Sequence, residues 1–343
     1  MRPRFRLLLL AVACIAWHAT ARADTQALYD AARKEAPMTW YISFYGGDIP
    51  AKTVAAFAAK YPGLTVNPIR MTSGAIFQRL NQDLRSHVAV ASVYTSSIGG
   101  QYDILVHDGV LAEYTPEAAT ALNPNVKSAI VPGYVYPLGT GLMTLAYNTA
   151  KVKPADAPKS WQDLLDPKWK GQIAIGDPSF SGFDAVWDVV ITKMYGWQYY
   201  EKLAKNNPLV QRSTFDTLTA LNSGERTVGV MSDTQAVDSA AKGNPIAAVY
   251  PSDGTVMILG MTAVLKDAPQ PNTARLFTEF LLGPEHGKIL IENRYQSARA
   301  DAVNELAGGK RLADIPIAPV MSSKDFVQAL PDLIERWRDL FSH

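Results

Sequence analysis

Cysteine is almost absent from this 343-residue sequence, whose single cysteine is Cys14. A chain with so few thiols has no disulfide framework, so its stability has to come from apolar side chains buried in a large core. Common catalytic patterns are missing as well, because no Walker, Gly-x-Ser-x-Gly, Gly-x-Gly-x-x-Gly or His-Glu-x-x-His motif occurs. The near balance of 33 basic against 32 acidic residues argues against a general nucleic-acid binder, which needs a basic excess.

The first residues form a pattern typical of export. Three arginines precede the apolar run Leu7–Trp17, and Ala21 and Ala23 stand at the −3 and −1 positions of a cut before Asp24. This order of basic, apolar and small residues predicts a secretory signal peptide over residues 1–23, cleaved after Ala23. The apolar run is too short for a transmembrane anchor, which needs about 20 residues.

Lipid attachment at Cys14 is the alternative to this cleavage, but Ala11 stands where a lipoprotein signal usually carries leucine. Removal of residues 1–23 would take away four arginines and the only cysteine, which leaves 29 basic against 32 acidic residues and a formal charge of −3. The mature protein is therefore expected to be soluble in the periplasm and to lack a thiol nucleophile or thiolate metal site.

Helical and strand-like segments alternate along the rest of the chain. Strands are predicted at residues 39–43, 64–69, 102–106, 142–148, 172–176, 227–231, 246–250 and 261–265. Helices are predicted at residues 26–35, 50–60, 73–85, 183–195 and 274–282, with a new helix beginning at Pro331 in the C-terminal stretch. This alternation indicates βαβ units and an α/β fold.

His107 and Asp108 are the nearest approach to a catalytic pair, at the end of a predicted strand. A polar His-Asp-Gly turn is the simpler interpretation, and an exported enzyme of unknown reaction stays as an alternative hypothesis. His286, in a Pro-Glu-His-Gly sequence, is expected in a solvated loop where a helix begins.

One stretch, Ser160–Gly171 with the sequence SWQDLLDPKWKG, resembles the extracellular solute-binding proteins of bacterial ABC importers. The branch in question contains ferric-iron, hexose-phosphate and aminoethylphosphonate binders. Further family-like elements are DGVL at 108–111 with Tyr114, AYNT at 146–149, GDP at 176–178 and FLLGPEHG at 280–287. The resemblance extends over nearly the whole mature chain.

The resemblance implies a two-lobe periplasmic binding protein fold of type II. Each lobe would be a mostly parallel sheet flanked by helices, with the ligand in the cleft between the lobes. Lobe 1 is expected at residues 24–134 plus 260–303, and lobe 2 at residues 135–259 plus 304–343. The implied partners are a small-molecule ligand and an inner-membrane ABC permease, which would recognise the closed form. No catalysis, cofactor, metal or nucleic-acid partner is implied, and a monomer is expected. A receptor that signals to a membrane sensor is the alternative.

Hydroxyl-bearing residues and glycines near strand ends and helix starts are the candidate ligand-binding residues. A helix N-terminus offers unpaired backbone N–H groups and the positive end of the helix dipole, so it binds anions. The candidates of this kind are Ser43, Thr72, Ser73, Gly74, Ser96, Ser97, Ser179, Phe180, Ser181 and Gly182. Plain N-capping by Ser73 is the alternative interpretation and is compatible with anion binding.

The resemblance also bears on iron, because ferric binders of this family usually carry two adjacent tyrosines after the strand predicted at 227–231. Asp233 and Thr234 stand there instead, so a ferric-iron binder is the disfavoured alternative. A small organic anion, such as a sugar phosphate or an aminophosphonate, fits better. Asp233 would then bond a hydroxyl or amine of the ligand or act as an N-cap, and Tyr295 would stack on the ligand.

Two arginines, Arg79 and Arg299, could add positive charge to an anion site. Surface or interlobe ion pairs are the more common role for arginines in such positions, so neither is placed in the candidate site.

Overall fold

The computed structural model describes residues 25–302, 315–319, 321 and 323–341. The predicted signal peptide, its cleavage site and Cys14 lie outside the described residues. Within the described ranges, no helix is both long enough and apolar enough to cross a bilayer.

Strands and helices alternate through most of the described chain. The strands are β1 (Met38–Ile42), β2 (Val66–Arg70), β3 (Val93–Ser96), β4 (Tyr136–Asn148), β5 (Ile173–Gly176), β6 (Leu209–Gln211), β7 (Val228–Ser232), β8 (Ile246–Val249), β9 (Val256–Val264) and β10 (Gln296–Ser297). The helices are α1 (residues 25–32), α2 (Ile49–Lys60), α3 (Ser73–Arg85), α4 (Gly99–His107), α5 (Gly182–Tyr195), α6 (Gln198–Ala204), α7 (Thr214–Ser223), α8 (Asp233–Ala241), α9 (Pro271–Leu281), α10 (Pro284–Glu292) and α11 (Ser323–Phe341).

The strands form one mixed sheet in the order β2-β1-β3-β9-β4-β7-β5-β6. Strands β2, β1 and β3 are parallel and form what we call flank A. Strands β7, β5 and β6 are also parallel and form flank B. The pairings β3–β9, β9–β4 and β4–β7 between the flanks are antiparallel. Helices connect the parallel strands of each flank, which confirms the predicted α/β class.

Strands β4 and β9 join the two flanks. All 13 residues of β4 are buried, and the strand pairs with β9 over residues 136–143 and with β7 over residues 143–147. Gly139 and Gly260 are paired in this ladder. A Cβ atom on Gly260 would overlap the ring of Phe44, so glycine at this position lets that ring reach the junction of the flanks.

The C-terminal helix α11 also connects the two halves, because it packs against α4 on one side and against α5 and α6 on the other. Its buried side chains include Phe326, Leu333 and Trp337. Gly100 of α4 leaves the space that Val327 of α11 occupies. The family-like tryptophans Trp161 and Trp169 are buried in the largest hydrophobic core, as expected for a segment that closes a core.

Two of the predicted elements are wrong. Residues 102–106, predicted as a strand, lie in α4, where Tyr102 and Leu105 are buried one helical turn apart. A short apolar run fits either a buried strand or a buried helix, and packing decides between them. Helix α11 continues through Pro331 without a new start, because its apolar face is held against α4 and α5 on both sides of the proline.

His286 was expected in solvent, but the structure buries it completely in α10. Its Nδ1 donates to the backbone oxygen of Leu281 at 2.7 Å, since a carbonyl can only accept. The Nε2 atom therefore accepts the hydroxyl hydrogen of Tyr45 at 2.8 Å. Burial lowers the pKa of His286 from 6.5 to about 4, so the ring is neutral in the folded protein.

This neutral histidine predicts a loss of stability in acid. Between pH 6.5 and 4 the unfolded chain binds a proton at His286 that the folded chain does not bind. The contribution of neutral His286 to the free energy of unfolding is therefore fully present above pH 6.5 and is lost as the pH falls toward 4. We expect the free energy of unfolding, measured with denaturant, to fall between pH 7.5 and pH 4.5 by roughly 2–3 kcal/mol more in the wild type than in His286→Gln, whose side chain cannot titrate. Equal losses in the two proteins would show that His286 is not the cause.

Candidate functional site

The carboxyl ends of the parallel strands meet around one cavity of about 130 Å³, which we call the inner chamber. This is the edge where ligands bind in open α/β sheets. Four helices begin there, and the residues that precede their first turns line the chamber. These N-cap residues are Thr72 before α3, Ser181 before α5, Ser213 before α7 and Ser232 before α8.

Three of these helix N-termini have no side-chain cap. Thr72, Ser213 and Ser232 make no capping hydrogen bond, whereas the Ser181 Oγ atom accepts from the Asp184 amide. The first-turn N–H groups of a helix have no partner within the helix. In α8 one of these groups, the Thr234 amide, donates to the Asp233 carboxylate, so the unpaired backbone donors of the inner chamber are concentrated at the starts of α3 and α7, beside the positive ends of these helix dipoles.

A chain of serine hydroxyls lines the flank A side of the inner chamber. The Oγ atoms of Ser97 and Ser73 are 3.1 Å apart, and Ser73 donates to the Oγ of Ser43 at 3.1 Å. Ser43 in turn donates to the Thr95 backbone oxygen at 3.4 Å. Gly182, the first residue of the helix α5 that follows β5 of flank B, packs against these hydroxyl groups. A Cβ atom on Gly182 would lie 2.5 Å from Ser97 Oγ and 2.7 Å from Ser73 Oγ.

Aromatic rings form another wall of the inner chamber. The Phe44 ring stacks on Phe183, with centroids 6.0 Å apart, and meets the edge of Tyr295 at 5.5 Å. All three residues line the inner chamber. The wall excludes water beside the donors, which strengthens their interaction with a bound charge.

Among the described residues that line the inner chamber, Arg70 is the only one with a formal charge. Its Nε donates to the backbone oxygen of Tyr45 at 3.2 Å, and Arg70 forms no ion pair with a carboxylate of the described residues. Two oxygen atoms near the start of α8, Ser232 Oγ and Gln235 Oε1, are buried without a hydrogen-bond partner among the described residues. The lining therefore carries a free cation and unused polar groups.

A second cavity of about 290 Å³, which we call the outer chamber, adjoins the first. The two chambers share Gly46, Phe215, Gln235 and Tyr295 in their linings. Phe215 of flank B reaches Gly46 of flank A, with its Cζ 3.1 Å from where a Cβ on Gly46 would lie. This contact marks the boundary between the chambers.

Asp233 lies behind the chamber wall and lines neither chamber. Its carboxylate accepts from the Thr234 amide at 2.7 Å and from the Tyr250 hydroxyl at 3.4 Å. Burial raises the pKa of Asp233 to about 7. The carboxylate therefore bonds within the first turn of α8. The predicted contact of Asp233 with a ligand stays a prediction.

The structure brings about half of the predicted site residues together. The inner chamber contains Ser43, Thr72, Ser73, Ser181, Gly182 and Tyr295, and the outer chamber contains Thr234 and Tyr295. Ser97 reaches the inner chamber through its hydrogen bond to Ser73. Gly74, Ser96, Ser179, Phe180 and Asp233 line neither chamber.

Two of these outlying residues have structural partners. Ser96 donates to the Gln101 side chain at 2.6 Å. The exposed ring of Phe180 lies under the Arg212 guanidinium, whose Cζ is 4.9 Å from the ring centroid.

Several residues that line the inner chamber were not predicted from the sequence. They are Arg70, Phe44, Ser213, Thr214, Phe215, Ser232 and Gln235. Ser213 could have been found by the rule used for Ser73, since it directly precedes a helix and is followed by Asp216.

Other candidates lie away from both chambers. Arg79 donates to the Tyr41 hydroxyl at 3.1 Å, and Arg299 forms an ion pair with Asp301 at 2.7 Å. His107 and Asp108 are hydrogen-bonded to each other at 2.8 Å at the exposed end of α4. Among the described residues, no group of three or more His, Cys, Asp or Glu side chains is placed to hold a metal ion.

Comparison with known proteins gives the family. The family model for bacterial extracellular solute-binding proteins matches residues 100–316. An uncharacterised protein of Haemophilus influenzae is 28% identical over 245 residues, covering 68% of this chain and 69% of that protein. A Salmonella typhimurium protein named "Putative 2-aminoethylphosphonate-binding periplasmic protein" is 25% identical over 242 residues, covering 66% of this chain and 67% of the relative.

Solved structures of periplasmic binding proteins share the fold. AfuA from Actinobacillus pleuropneumoniae, solved with fructose-6-phosphate bound, has a TM-score of 0.78 at 22% identity and covers 89% of this chain and 98% of its own. Iron-bound HitA from Pseudomonas aeruginosa has a TM-score of 0.76 at 21% identity and covers 89% of this chain and 99% of its own. The predicted two-lobe periplasmic binding fold is confirmed.

These comparisons also confirm the predicted family and agree with a periplasmic location, whereas the signal peptide and the lobe boundaries stay predictions. The family and the related structures are transport-associated binding proteins rather than enzymes. The chain belongs to the family of bacterial extracellular solute-binding proteins.

Proposed function

We propose that the transported solute is a small organic anion whose phosphate or phosphonate group occupies the inner chamber. The observation that carries this proposal is the convergence of four helix N-termini and Arg70 on a chamber whose lining includes no carboxylate in the described part of the chain. Such a lining stabilises negative charge and repels a cation. Sugar phosphates and aminophosphonates both carry the required group.

The names of similar proteins support the same class of ligand. The Salmonella relative is named for 2-aminoethylphosphonate, and AfuA was solved with fructose-6-phosphate. HitA was solved with iron, but Fe³⁺ is a hard cation that requires anionic oxygen ligands. The inner chamber offers hydroxyls, backbone N–H groups and a guanidinium instead.

The cycle that we propose is capture in an open cleft, closure over the anion and delivery to an inner-membrane permease. Flanks A and B would belong to the two lobes, which bring Ser73 and Gly182 together only when the cleft is closed. Binding energy favours the closed form because the donors of both flanks reach the anion only there. The protein would act as a monomer after removal of residues 1–23, without a cofactor or a catalytic step.

Thermal unfolding of the purified protein tests this proposal. Fructose 6-phosphate or 2-aminoethylphosphonate at millimolar concentration should raise the Tm, since a ligand that binds only the folded state stabilises it. Arg70→Gln should raise the apparent Kd, taken from the dependence of the Tm on ligand concentration, about tenfold. The matched variant Arg79→Gln, outside the chambers, should leave this Kd unchanged. A Tm that responds only to ferric citrate, with a visible tyrosinate–iron absorption band, would contradict the proposal.

A further inference from the structure

The inner chamber is smaller than a typical small-molecule site. Its volume of about 130 Å³ lies below the range of roughly 300–1,000 Å³ that is typical of small-molecule sites. The adjoining outer chamber adds about 290 Å³ on the far side of the contact between Gly46 and Phe215. A solute of sugar-phosphate size whose anionic group occupies the inner chamber would therefore extend past Phe215 into the outer one.

The carboxylates of the outer chamber are already paired. Asp238 accepts from Arg294 at 2.7 Å, and Asp48 accepts from Lys52 at 3.0 Å. Lys242 also lines the chamber and forms no ion pair among the described residues. An ammonium group on the solute would find no free carboxylate and would meet the positive charge of Lys242, which disfavours it.

Neutral polar groups make up much of the remaining lining. Asn222, Ser239 and Asn244 form a connected set, in which Ser239 donates to the Asn222 oxygen at 3.0 Å and accepts from the Asn244 amide at 3.1 Å. Gln235 reaches both chambers, and its buried Oε1 has no partner. Side-chain amides both donate and accept, which suits hydroxyl groups that do the same.

We infer that the solute carries an uncharged, hydroxylated tail in the outer chamber, as sugar and polyol phosphates do, and not an ammonium tail. This inference rests on the proposed function, because the phosphate group is what places the tail beyond Phe215. The aromatic rings of Phe215 and Tyr295, which line both chambers, would cover the carbon atoms that connect the two ends of the solute.

Calorimetric titration with a matched pair of probes tests the inference. 2-Hydroxyethyl phosphate and 2-aminoethyl phosphate differ only in the terminal group of the tail. We expect the hydroxyl probe to bind at least about tenfold more tightly than the amine probe and more tightly than inorganic phosphate. Lys242→Glu should reduce the ratio of the two affinities about two- to fivefold, because a carboxylate at this position favours the amine probe. Lys266→Glu, outside both chambers, should leave the ratio unchanged.

The outcomes separate this inference from the proposed function. If the amine probe binds as tightly as the hydroxyl probe or more tightly, the hydroxylated tail is wrong and the anion site stands. If inorganic phosphate binds as tightly as both, the outer chamber does not select the tail, and the inference is again wrong. If none of the three phosphates binds while the protein is folded, the proposed anion site fails as well.

Discussion

Replacing Ser73 and Ser181 together by aspartate is expected to abolish binding of the phosphate-bearing solute. The two residues line the inner chamber from opposite flanks, at the starts of α3 and α5. Each new carboxylate would repel the anion, and like charges about 4 Å apart cost about 4 kcal/mol at an effective dielectric constant of 20, or roughly 1,000-fold in affinity. Titration with fructose 6-phosphate measures the loss.

The folded state should tolerate this double substitution. Aspartate is a good N-cap residue, so it can replace Ser181 as acceptor for the Asp184 amide. A negative charge in the first turn of α3 is also favoured by the helix dipole. The matched control is the double replacement by asparagine, which has nearly the same size as aspartate and no charge, so it reproduces any crowding against Gly182 and should bind far more tightly than the aspartate variant. Equal affinities of the aspartate and asparagine variants would contradict the anion site.

Gly182→Val is expected to lower affinity at least about 100-fold by holding the cleft open, a second large effect with a steric cause. A side chain at Gly182 would meet the hydroxyls of Ser97 and Ser73 across the boundary of the flanks, at 2.5 and 2.7 Å from its Cβ. Those hydroxyls are hydrogen-bonded to each other and cannot both turn aside without losing partners. Small-angle scattering with and without fructose 6-phosphate should show no compaction of the variant.

Two further variants calibrate this effect. Gly182→Ala should show a smaller loss than Gly182→Val, because it adds only the Cβ atom. Gly74→Ala is the matched control, since it also changes a glycine in the first turn of a chamber helix. The nearest atom to a Cβ there is the Ser179 oxygen at 3.8 Å, an ordinary contact, so binding should be retained. Wild-type closure in Gly182→Val would show that the flanks need not approach this closely.

The sequence predicts the fold and several of the residues that line the chambers, for reasons visible in particular residues. The predicted bounds of α3, residues 73–85, agree with the structure, because Thr72 and Ser73 begin an amphipathic segment that ends at Arg85. Ser181 was found in the same way. Both predictions depend only on local features, a hydroxyl residue followed by a helical pattern, and such features do not need knowledge of the tertiary structure.

The missed features depend on tertiary packing. The four residues of β3, Val93–Ser96, are all buried although two are polar, because Thr95 accepts from Trp40 Nε1 at 2.9 Å and contacts Thr262. Arg70 ends a strand, and nothing in the local sequence shows that its side chain forms no ion pair with the carboxylates of the described residues. Likewise, Asp233 stands at the predicted helix start, but the rotation of α8 places its carboxylate behind the chamber wall.

The donors of the inner chamber have a consequence for how ligand preference can evolve. Backbone N–H groups at the starts of α3 and α7 are present whichever side chain stands there, unless proline replaces it. Point mutations will therefore seldom remove the requirement for an anion. The side chains of the outer chamber, such as Lys242 and Asn222, are free to change. Descendants of this protein can acquire new substrates by altering the tail they accept while the charged end stays the same.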